Sequence, residues 1–73
     1  MKASPVLLQK KYTRVIELFA KINHLSLDEA LTFFYQSEVY VLMREGISDM
    51  HCMSDSYLAR ELTEEYKVVT VQP

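Results

Sequence analysis

The sequence has one cysteine, one glycine, two prolines and no tryptophan. With Cys52 alone, no disulfide can form within the chain, and a lone thiol fits a reducing compartment. With Gly46 the sole glycine, neither a G-x-G-x-x-G fingerprint nor a P-loop can be written, which excludes the phosphate-cradling loops of nucleotide enzymes. So few turn formers also argue against an all-β domain. Long apolar runs are missing too. Val6-Leu7-Leu8 stops at Gln9, short of the ~7–15 residues of a secretory h-region, and nothing approaches the ~18 of a membrane span. The expectation is a cytoplasmic protein with no membrane contact.

What is present is a short globular chain of 73 residues, 49% hydrophobic and 25% charged. Folding buries roughly 7,700 Å², about 60% of it apolar, which supplies about 115 kcal/mol, and ordering the chain costs about 110 kcal/mol. The two nearly cancel. Without a disulfide, the margin has to come from tight packing or from association, so a homo-oligomer such as a dimer, or a partner protein, is expected.

Ser4-Pro5 reads as a helix start, with serine at the N-cap and proline in the first turn, where its missing N–H costs nothing. Leu8, Tyr12, Val15, Phe19 and Ile22 then recur in steps of three and four, with Leu18 and Leu25 widening the stripe. Ser26-Leu27-Asp28-Glu29 is a capping box. Behind it, Leu27, Ala30, Leu31, Phe33, Phe34 and Tyr35 predict a helix with a wide apolar face. Ser37 offers a break and a new N-cap. Val39-Tyr40-Val41-Leu42-Met43 has strand-forming valines, but Glu38, Arg44, Glu45 and the Gly46 stop favour a short buried helix. Residues 47–53 read as a loop, and Ser54 or Ser56 caps a last helix along Leu58, Leu62 and Tyr66. Lys67 to Gln72 has β propensity and reads as an extended tail, seeking a strand partner. The fold expected is one all-α domain over residues 1–73: a compact bundle of three to four short helices, about 5–23, 27–36, 38–45 and 55–66, with a short extended C-terminal tail at 67–72.

Met50-His51-Cys52-Met53 carries four groups able to ligate a soft metal, or zinc through His51 and Cys52. Adjacent residues do not converge on one point, so the plainer reading is buried sulfur side chains and a histidine bonded to a backbone end. The same objection meets a Cys–His nucleophile pair, which also lacks an orienting third group. A small enzyme or metal site there is the weakest of three readings, and no catalytic residue, cofactor or metal is assigned.

Charge divides unevenly along the chain. Residues 1–21 hold five basic residues against Glu17, net +4, and the remainder holds three basic against nine acidic, net −6. Lys10, Lys11 and Arg14 could touch phosphate, but the overall charge of −2 opposes nucleic-acid binding. The plainer expectation sets this basic helix against the acidic last one, near Asp55, Glu61, Glu64 and Glu65. Tyr35, Tyr40 and Tyr57 are candidates for a partner surface, because tyrosine offers a flat area with a polar tip.

Leu25-Ser26-Leu27-Asp28-Glu29-Ala30, Phe33-Phe34, the apolar run to Met43, and Met50-His51 before a serine-initiated helix form a pattern over roughly residues 15–62. In it the chain resembles a family of small bacterial proteins known as a domain of unknown function. Glu38 stands where that pattern commonly has glycine, and Ile47 where it commonly has tyrosine. The resemblance implies a compact helical domain, sometimes encoded near toxin–antitoxin-like genes, and no catalytic residue. The leading expectation is a non-enzymatic, self-associating interaction module. The alternative is a regulatory nucleic-acid binder of toxin–antitoxin type.

Overall fold

The computed structural model describes residues 5–71. They form four α-helices: α1 Pro5–Asn23, α2 Leu27–Gln36, α3 Glu38–Glu45 and α4 Asp55–Val71, with a 3₁₀ segment Ile47–Cys52 between the last two. The expected N-cap Ser4 lies outside the described residues. The chain is an all-α bundle in which α1 packs against both α2 and α4, and α3 leans on α2, α4 and the 3₁₀ segment.

Each junction has a local cause. α1 ends where His24 takes a left-handed φ of 56°, and Leu25 N–H donates back to Ala20 C=O at 2.9 Å. That is the closing bond of a Schellman turn, made here without glycine. The capping box then opens α2: Glu29 N–H donates to Ser26 Oγ, and Ser26 N–H donates to Glu29 Oε1, both at 3.1 Å. Buried Ser37 serves two helices. Its hydroxyl donates to Phe34 C=O at 2.6 Å and accepts from Tyr40 N–H at 3.1 Å. Gly46 closes α3 at φ 70°, in the left-handed region that penalises a side chain.

Two aromatic clusters hold the helices together. Phe19, Phe33 and Tyr66 join α1, α2 and α4, with ring centroids 5.2–5.7 Å apart. Tyr12 of α1, Phe34 and Tyr35 of α2 and Tyr40 of α3 form the other. Phe19 and Phe34 of these clusters are fully buried, as are Val15, Ala30, Leu58 and Leu62. A polar tie adds to the α1–α4 seam: Asn23 Nδ2 donates to Thr63 Oγ1 at 2.9 Å.

Several expectations are corrected. The extended tail is instead the last turns of α4, which runs on to Val71; Gln72 lies outside the described residues. A helix already anchored by Leu58 and Leu62 gains a hydrogen bond for each residue it adds, whereas a lone strand has no partner. Residues 47–52 are 3₁₀ rather than loop, kinked where Ser48 and Asp49 both take φ 54°. Ile22 is half-exposed rather than buried, because it sits at the edge of the α1–α4 seam beside Leu18, Arg60 and Lys67. In α2 only Ala30 and Phe34 are fully buried, and Leu27, Leu31 and Tyr35 are 57%, 44% and 43% exposed. Packing against α1 and α3 does not cover an apolar face that wraps most of the way round α2.

Candidate interaction surfaces

The basic stripe of α1 meets the start of α4. Lys11 Nζ is 2.9 Å from Asp55 Oδ1, and Arg14 Nε donates to Asp55 Oδ2 at 2.9 Å. Lys11 also donates to Met53 C=O at 2.6 Å, which fixes the chain entering α4. The hydrogen bond from Lys11, reinforced by Arg14, holds the Asp55 carboxyl below its ordinary range against the opposing effect of burial. Lys10 has no ion pair among the described residues, and with Leu7, Leu8 and His51 these cations border a shallow cleft of about 210 Å³.

The acidic residues of α4 part company with Asp55. Six or more residues beyond it, at 100° per residue, Glu61 and Glu65 turn toward α3 instead of α1, and Glu64 stands between the two sides, bordering Leu18 and Ile22 of α1 as well. Glu65 spans the start of α3: its carboxylate accepts from Glu38 N–H at 2.9 Å and from Val39 N–H at 3.1 Å. Glu64 lies 3.6 Å from Lys67. So the expected pairing of the basic helix with all four acids holds for Asp55 alone. Glu38, Glu61, Glu64 and Glu65 instead rim a groove of about 480 Å³, whose floor is Val39, Leu42, Met50, Val68 and Val69.

The tyrosines are also divided. Tyr35 and Tyr40 lie together, centroids 4.8 Å apart and edge to face, over Tyr12 and Phe34. The Arg44 guanidinium sits 5.2 Å from the Tyr40 ring, a cation–π distance. Burial, with Tyr40 and Tyr35 alongside, raises the Tyr12 phenol above its ordinary value. Tyr57 is exposed in the first turn of α4 and makes no ring contact among the described residues. A second apolar groove of about 190 Å³ runs between α1 and α2, where Leu27 and Leu31 face Ile16, with Glu17 and Asp28 at its edge.

Cys52 is exposed, and the neighbouring His51 carries a buried Nδ1 without a hydrogen-bond partner, packed beside Gly46. No group of three His, Cys, Asp or Glu side chains placed to hold a metal occurs among the described residues, and no helix there is long and apolar enough to cross a membrane.

The acid-rimmed groove was not anticipated from sequence. Its signal is the spacing Glu61, Glu64, Glu65, Val68, steps of three and four that become one helix face only if α4 continues past Tyr66. No family model, curated protein or solved structure matches the chain, so the family resemblance rests on the residues quoted for it.

Proposed function

We propose that this protein is a non-enzymatic interaction module that associates with copies of itself in the cytoplasm, and belongs with the small bacterial family it resembles. One observation carries the reading: large apolar side chains stay exposed in contiguous sets. Leu27 and Leu31 border one groove, Val68 and Val69 floor another, and both grooves have charged rims. Isolated exposed hydrophobics are ordinary on a protein surface, but sets of them in rimmed grooves mark contact sites. A chain this short gains most from covering them.

Sedimentation velocity across the micromolar range tests the reading. A sedimentation coefficient that rises with concentration supports it, and a monomer throughout removes it. The regulatory nucleic-acid reading draws on the single stripe of Lys10, Lys11 and Arg14 on α1. Because Asp55 neutralises part of that charge, the stripe is a weaker phosphate surface than its sequence suggests.

A further inference from the structure

We propose that the acid-rimmed groove between α3 and α4 receives the Leu7–Arg14 face of α1 from a second copy of the chain, giving a contact that repeats head to tail. This rests on the self-association reading and names the two surfaces that would meet.

The groove defines its occupant. Val68 and Val69 are 59% and 60% exposed on its floor, so the ligand must bring an apolar side chain. Four carboxylates stand on the rim. Glu65 is engaged with the start of α3 and Glu64 lies near Lys67, whereas Glu38 and Glu61 have no ion pair among the described residues. An anion is repelled there, and a cation beside the apolar anchor is attracted.

The chain carries such a surface. Leu7, Lys10, Lys11 and Arg14 stand at i, i+3, i+4 and i+7, one face of α1, and Leu7 is 64% exposed at its head. Lys11 and Arg14 share one carboxylate, Asp55, so with Lys10 the face keeps a net charge of +2. The whole chain repeats this polarity, net +4 over residues 1–21 and net −6 beyond.

The same molecule cannot satisfy both surfaces. The basic face lies beside Asp55, at the start of α4, and the groove floor lies at Val68 and Val69, about 20 Å further along that helix at 1.5 Å per residue. The basic knob and the Val68–Val69 end of the groove are therefore well separated in a molecule 39 Å long, while the groove's other end reaches Glu61 and Met50, next to the His51 that borders the basic cleft. Two different patches meeting between copies make a heterologous interface, which closes into a ring or extends as a filament.

The test uses the full chain and two exposed-site variants, Leu7→Asp and Val69→Asp, each checked for unchanged helix content by circular dichroism. At about 100 µM in about 50 mM salt the wild type assembles, and raising salt to about 500 mM weakens association about tenfold. Each variant alone sediments as a monomer. Their equimolar mixture forms a one-to-one dimer, because L7D keeps a working groove and V69D keeps a working anchor. Should a variant lose helix content, Lys10→Glu and Glu61→Lys replace the pair: each weakens assembly and the double variant restores it. If the wild type assembles but the variants assemble equally well, or the mixture stays monomeric, this interface is wrong while self-association stands. A wild type that remains monomeric overturns both.

Discussion

Asp55 ties the first helix to the last through two cations, Lys11 and Arg14, both at 2.9 Å. Its folded carboxyl is more acidic than in the unfolded chain, chiefly because Lys11 donates to it. Its contribution is therefore complete above the unfolded value of about 3.9 and is lost as pH falls through the lower folded value. The side chain is about one-third exposed, so solvent screening keeps the effect modest. Thermal melts between about pH 6 and pH 2 check this. Asp55→Asn should lower the melting temperature at neutral pH and flatten the loss of stability on acidification below about pH 4. Parallel acid slopes for variant and wild type would place the acid sensitivity elsewhere.

Among the elements, α3 depends most on help from outside itself. It has eight residues, too few to be stable alone, and the N–H groups of Glu38 and Val39 are answered by a residue of α4, Glu65. A carboxylate at a helix N-terminus gains from both the hydrogen bonds and the dipole. Glu65→Ala should cost about 1–2 kcal/mol in urea unfolding of dilute protein, and Glu65→Gln about half as much, because one acceptor oxygen remains. A cost near zero for both would make the contact incidental. This long-range cap marks the limit of reading from sequence. The local caps were legible: Ser26 with Glu29, Ser37 and Gly46 act within a few residues of their own positions. So was the buried line of α4 through Leu58 and Leu62. The end of α4 was not, because the helix penalty for valine, about half a kcal/mol, is smaller than the gain from extending an anchored helix. Nor was the exposure of Leu27 and Leu31, since an apolar face does not say how much of it a neighbour will cover.

At the scale of the whole molecule, folding and association draw on the same surface. A chain near thermodynamic balance leaves Leu7, Leu31, Val68 and Val69 in water when it is alone, and covering them stabilises the folded state but not the unfolded one. Stability should then depend on concentration. Above the dissociation constant, each tenfold increase in protein adds about 1.4 kcal/mol. For a chain of this size that raises the melting temperature by about 6–11 °C. Leu7→Asp should melt at a temperature independent of concentration, close to that of dilute wild type, since its fold is intact and only the contact is lost. Scanning calorimetry over two decades of concentration distinguishes the cases. A wild-type melting temperature that does not move would show that the bundle is sufficient by itself. Its exposed valines and leucines would then be a tolerated cost of small size rather than a binding surface.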